Sequence, residues 1–177
     1  MEKDKEKHSF SFNSIIAFGL VCMLIIGGVR YFNTQKTDRL FSEHYQVAGI
    51  SYANLRGGGD NLDDNLSLAL SFYKDRNFTA AAPFFSKYIS KVPADFEAVY
   101  LAGISYLEIN QFEKAIEAFK KVRINSEKHY EKATWYLALS YLREQQPDQA
   151  KTILKELIAS ASPYKIEEAK KILSKIS

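Results

Sequence analysis

The chain has 177 residues, 46% of them hydrophobic and 25% charged, which suits one folded domain plus a short extra element. Its 24 Lys and Arg are interleaved with 21 Asp and Glu, leaving a net charge of +3. That balance reads as solvated helical faces and gives no basis for nucleic-acid binding. The single cysteine, Cys22, excludes an internal disulfide framework and a cysteine-based zinc site.

Residues 1–10 form a polar tail, and the chain then changes character. Ile15 to Val29 contains no charge and no strong polar group, and Phe10, Phe12, Tyr31 and Phe32 flank it. The apolar span reaches about 20 residues, enough to cross a hydrocarbon core. Nine of its residues are Ile, Leu, Val or Phe, and together they favour insertion by about 3 to 5 kcal/mol. The expected element is an uncleaved transmembrane helix over 11–32. A cleaved signal peptide would need a small-x-small site, but Gly27-Gly28 is followed by Val29 and then by Arg30 and two aromatics. A lipoprotein would need small residues before Cys22, which follows Val21. A buried soluble helix is the remaining alternative, although nothing downstream calls for so uniform an element.

Basic residues do not decide the orientation: Lys3, Lys5 and Lys7 precede the span, and Arg30, Lys36 and Arg39 follow it. A short tail inside and an exported C-terminal domain is the commoner arrangement. The expectation is therefore an inner or cell-membrane protein with that topology. Residues 33–60 read as a linker, with a short helix around Leu40, Phe41 and Tyr45 and a glycine-rich hinge at "RGGGD", 56–60. Asp60 or Asn61 is placed to cap the next helix.

From residue 61 to 177 the pattern is helical and repeats. "NQFEKAIEAFKKV", residues 110–122, matches "NFTAAAPFFSKYI", residues 77–89, at an offset of 34. Phe78 pairs with Phe112, Ala81 with Ala115, Phe85 with Phe119 and Tyr88 with Val122. The preceding helices pair Ala69 with Gly103 and Phe72 with Tyr106. A third copy at an offset of 35 brings Ala138, Tyr141, Ala150 and Leu154 into the same places. Small residues at fixed positions mark where helices approach closely. Each hairpin keeps one face unburied, so the hairpins must stack. "SPYKIEEAKKILSKIS" closes the series: Ser162 and Pro163 are suited to start a helix, and Tyr164, Ile166, Ala169, Ile172, Leu173 and Ile176 form the apolar stripe of a capping helix.

Over about residues 61–160 this pattern resembles the tetratricopeptide repeat (TPR), a 34-residue helix–turn–helix. Pro93 fits the proline that often ends that repeat. Glu127 departs from it, and Pro163 falls one residue late. The resemblance implies an all-α, right-handed solenoid of about three helical hairpins plus a C-terminal capping helix, here preceded by a transmembrane helix.

Catalytic chemistry finds no footing. "RGGGD" lacks the Lys-Ser/Thr of a phosphate loop. His8, His44 and His129 have no second ligand at metal spacing and default to solvated surface. No catalytic residue, metal site or cofactor is expected, and the chain is not read as an enzyme. What remains is a surface. The resemblance implies a concave face built from the first helix of each hairpin. The repeat register places Leu66, Leu70 and Tyr73 there in the first copy, Tyr100, Ile104 and Leu107 in the second, and Trp135, Leu139 and Leu142 in the third. Aromatic anchors of this kind suit a protein or peptide partner, with Tyr100 and Trp135 the strongest candidates. The alternative is that several of the nine pack within the solenoid or under the segment 38–55. TPR domains that clamp a chaperone's carboxylate terminus need Lys and Asn where Leu66 and Leu70 stand, so that ligand class is disfavoured. The leading expectation is a membrane-anchored TPR scaffold or adaptor that assists envelope-protein translocation or complex assembly. The runner-up is a self-associating structural membrane protein, a homo-oligomer without a peptide ligand.

Overall fold

The computed structural model describes residues 12–50, 63–160 and 163–176, with the side chains of the first helix described from Phe18 onward. The described residues contain eight α-helices and no strand. They are α1 (Phe12–His44), α2 (Asp64–Lys74), α3 (Phe78–Lys91), α4 (Phe96–Glu108), α5 (Phe112–Asn125), α6 (Tyr130–Arg143), α7 (Pro147–Ala159) and α8 (Ile166–Ile176). A short 3-10 turn, Glu127–His129, leads into α6. The chain divides into two units between Lys36 and Thr37.

Helix α1 departs from the expected boundaries. It does not end at 32, and the short helix expected near Leu40 is simply its last turns. Residues 33–39 contain neither Gly nor Pro, so nothing breaks the helix until after His44. Among the described residues no helix is long and apolar enough to cross a membrane. The glycine-rich hinge at 56–60, the Asp60 or Asn61 cap, Ser162 and the polar tail lie outside the described residues. The cap that is described on α2 is Asp63, whose carboxylate accepts from the Asn65 amide at 2.8 Å.

Three hairpins, α2–α3, α4–α5 and α6–α7, pack in sequence and α8 closes on α7. Asn77 caps α3 through the Ala80 amide and Asp95 caps α4 through the Ala98 amide. The turn inside each hairpin has one repeated geometry. Arg76, Asn110 and Gln145 all adopt positive φ, at 56°, 59° and 57°. The next amide then reaches back five residues: Asn77 to the Phe72 carbonyl, Gln111 to Tyr106 and Gln146 to Tyr141, each at 2.8 Å. This left-handed termination satisfies carbonyls that the helix end leaves open. Glycine usually occupies that position, and here it does so in none of the three.

The small residues sit at helix crossings. Ala69, Ala81, Ala115, Ala138 and Ala150 are fully buried, as are Phe85, Phe119 and Leu154. The Phe119 ring lies directly on Gly103, where a Cβ would come within 2.7 Å of it. Helix α8 begins at Ile166, not at Pro163. Pro163 precedes a turn in which Lys165 takes φ 58°. Ala169 and Ile172 then seal the end of the stack.

Candidate functional site

All nine groove residues lie on α2, α4 and α6, as the repeat register requires, but none is exposed. Tyr100 is 5% accessible, Trp135 is 1%, and Ile104, Leu139 and Leu142 are fully buried. What covers them is the chain itself. Leu40 is buried, and Phe41, Tyr45, Val47, Ala48 and Ile50 pack half-buried on the same core. Residues 37–50, the last turns of α1 and the non-helical stretch that follows, lie on part of this face, where they meet Tyr73, Tyr100 and Trp135, and the other wall residues are buried in the same core.

The contacts are specific at both ends of this cover. Thr37 donates its hydroxyl to Gln145 Oε1 at 2.6 Å. Arg143 donates to Asp38 Oδ1 at 3.0 Å and to Asn110 Oδ1 at 3.1 Å. Its guanidinium also lies 5.0 Å from the Phe41 ring centroid and 5.1 Å from that of Phe112. Tyr45 stacks on Phe41, meets Tyr136 edge-on, and donates to Glu108 Oε1 at 2.5 Å. Lys175 of the capping helix pairs with Glu43 at 2.9 Å, and this hydrogen bond holds the Glu43 carboxyl down at about 2.

Beyond α1 the grip is on backbone. Tyr136 Oη donates to the Gln46 carbonyl at 2.6 Å, and Tyr73 Oη donates to the Ala48 carbonyl at 2.7 Å. Burial raises the pKa of both phenols, so they remain protonated donors at any physiological pH. Tyr100 sits between them in the aromatic wall, edge-on to Tyr136 and Phe119 and stacked on His129. His129 is therefore not the solvated histidine the sequence suggests. It is 7% accessible, and its burial lowers its pKa.

A crevice of about 200 Å³ remains beside the cover, with Ala48 and Gly49 on one side and Tyr100, Trp135 and Tyr164 on the other. Lys132 and Lys165 stand at its edge, the latter 5.8 Å above the Trp135 ring. No group of acidic, His or Cys side chains among the described residues is arranged to hold a metal ion. The site offers phenol donors, aromatic faces and main-chain recognition, which is binding chemistry.

Known families match this arrangement. The tetratricopeptide-repeat profile matches residues 66–130, and a second profile of the same description matches 132–162. Together they span more than half of the chain. The chain belongs to the tetratricopeptide-repeat family. Among solved structures, the second TPR domain of human RPAP3, determined by NMR in complex with the HSP70 peptide SGPTIEEVD, is similar in fold. It has a TM-score of 0.55 and 19% identity over 63% of this chain and 91% of that one. A comparison with curated protein sequences finds no match.

The repeat register placed the nine residues on α2, α4 and α6, where they are buried, but did not single out Tyr136, Tyr45, Glu108 or Arg143 beside them. Tyr136 occupies the place of Ser67 and Leu101 in the other copies, so a position without a shared residue type gave no repeat signal. Tyr45, just past the end of α1, and Phe41 sit four residues apart, and that spacing was the one hint that the end of α1 has an apolar side to bury.

Proposed function

We propose that this chain is a membrane-tethered TPR adaptor whose inner face, α2–α4–α6, holds a segment of another protein. The observation that carries the reading is the pair of phenol donors, Tyr73 and Tyr136, each spent on a main-chain carbonyl of a segment outside the repeats. A wall that grips backbone suits a peptide occupant better than a folded surface. The tether rests on sequence: taking in residues 12–17 extends the charge-free run to 12–29, and Phe18, Leu24 and Phe32 on α1 are all more than 70% exposed. The fitting role is assembly or translocation of envelope proteins, with the solenoid on the exported side. A photo-crosslinking residue in place of exposed Lys132, at the groove edge, tests this in intact cells. Crosslinks to a segment of another protein are expected. Crosslinks only within this chain would remove the groove as a partner site.

Self-association is the second reading, favoured by the apolar side chains exposed all along α1 from Phe18 to Phe32. Such a helix needs either lipid or other helices around it. Sedimentation of the full chain in mild detergent separates the two, since a monomer across the concentration range removes the oligomer.

A further inference from the structure

We propose that residues 46–50 are a built-in ligand of the groove, and that the partner is an uncharged, extended segment that displaces them while using the same two tyrosine donors and a side-chain slot they leave empty. This rests on the groove being the partner site. Three observations support it. First, the carbonyls taken by Tyr136 and Tyr73 belong to Gln46 and Ala48, two residues apart. That is the spacing at which an extended chain presents successive groups to one side. The donors read main chain, so any segment of similar shape meets them equally well.

Second, the occupant is chemically generic. Gln46, Val47, Ala48, Gly49 and Ile50 carry no charge. Their hydrogen bonds to the wall come from carbonyls, whereas the side-chain anchors lie upstream, at Thr37, Asp38, Glu43 and Tyr45. Displacement of 46–50 leaves those upstream anchors intact.

Third, the occupant underfills its site. Gly49 lines the crevice of about 200 Å³ against Tyr100, Trp135 and Tyr164, and a Cβ at Gly49 meets nothing within 4 Å. Gly49 itself is exposed, so a side chain added there starts at the mouth of the crevice, with room to turn onto Tyr100, Trp135 and Tyr164. A competitor with a large apolar side chain at that position buries surface that the chain's own segment does not. Such an advantage is required, because a tethered occupant competes at an effective concentration on the order of millimolar.

The test uses the full chain in mild detergent with two fluorescent peptides. One carries the sequence of residues 44–50, and the other is the same peptide with Gly49→Leu. On the wild-type chain the leucine peptide should bind at least about tenfold more tightly than the parent. Val47→Asp in the protein places a charge against the apolar wall and expels the built-in segment, so both peptides should gain at least about tenfold. Adding Tyr73→Phe and Tyr136→Phe to that variant should return most of the gain. Hydrogen exchange on the wild-type chain gives the same answer without a substitution: saturating leucine peptide should speed exchange of the amides of 46–50. Equal binding to wild-type and Val47→Asp chains, with unchanged exchange, would overturn displacement and leave the groove a peptide site. Equal affinity of the two peptides would overturn the empty slot. Failure of either peptide to bind any variant, with helical content intact, would overturn the proposal and the groove reading together.

Discussion

Gly103 and Phe119 offer a direct test of how the hairpins are held together. A Cβ on Gly103 would lie 2.7, 2.9 and 3.1 Å from Cε1, Cζ and Cδ1 of the Phe119 ring. That ring is fully buried, edge-on to Tyr100 and stacked on Tyr136 at 5.7 Å, so it has no free direction in which to swing. Overpacking of this kind costs about 1–3 kcal/mol. Replacing a mid-helix glycine by alanine returns about 1 kcal/mol. Gly103→Ala should therefore destabilise by about 1 kcal/mol. Phe119→Leu alone should cost about 1–2 kcal/mol through the space it opens. The double variant recreates the pair already present in the third hairpin, Ala138 with Leu154, both fully buried. It should be less destabilised than the sum of the two by about 1 kcal/mol or more. Urea titrations followed by helical circular dichroism, compared at constant m, measure each corner of the cycle. Additivity within about 0.5 kcal/mol would refute the claim that this contact sets the spacing of α4 and α5.

Arg76→Gly should stabilise by about 0.5–1 kcal/mol, because Arg76 is exposed and held at φ 56°. The equivalent Gln145→Gly should not, since it also removes the acceptor for Thr37; thermal unfolding compares the two. Arg143→Met keeps the packing volume but loses the bonds to Asp38 and Asn110 and the cation over Phe41. With Arg143 partly exposed, a loss of about 1 kcal/mol is expected, read as faster hydrogen exchange over residues 37–44. His129 is held below its ordinary pKa of 6.5 by burial, so on acidification the unfolded chain takes up the proton before the folded one does. Stability should fall as the pH drops below about 6.5, His44 shifting in the same direction. The melting temperature of His129→Gln should vary less between pH 7.5 and 5.5 than that of the wild type.

The hairpins were legible because their signal is redundant. Ala69, Gly103 and Ala138 repeat at offsets of 34 and 35, each with a buried partner, Phe85, Phe119 or Leu154. A single copy would have been one amphipathic helix among others, but three in register restrict the packing. The left-handed turns at Arg76, Asn110 and Gln145 were not legible, since their usual marker is glycine and none is present. Nor was the end of α1. Residues 33–39 are polar and of ordinary helix propensity, so their composition suits a linker as well as a helix, and docking of the following turns against Arg143 and Gln145 decides between them. The burial of His129 was likewise hidden, because it depends on Tyr100, 29 positions earlier in the sequence.

The groove shows the same limit in a sharper form. Periodicity states which side of a helix is apolar, and it placed Tyr100, Trp135 and their neighbours on the inner wall. It cannot state whether that wall faces water, another protein or a distant part of the same chain, because an apolar face satisfies all three equally. A wall this aromatic would be costly to leave open: at about 25 cal/mol per Å², each buried ring is worth several kcal/mol of removal from water. A tethered segment of the same chain is the cheapest cover, since it needs no second molecule. Any partner that enters must then exceed what residues 46–50 already supply. Small, uncharged residues over the most aromatic part of the wall keep that threshold low, whereas an equally well-packed aromatic segment would have closed the groove for good. The choice of Ala48 and Gly49 against Trp135 is thus better matched to a cover that yields than to a permanent layer of the core.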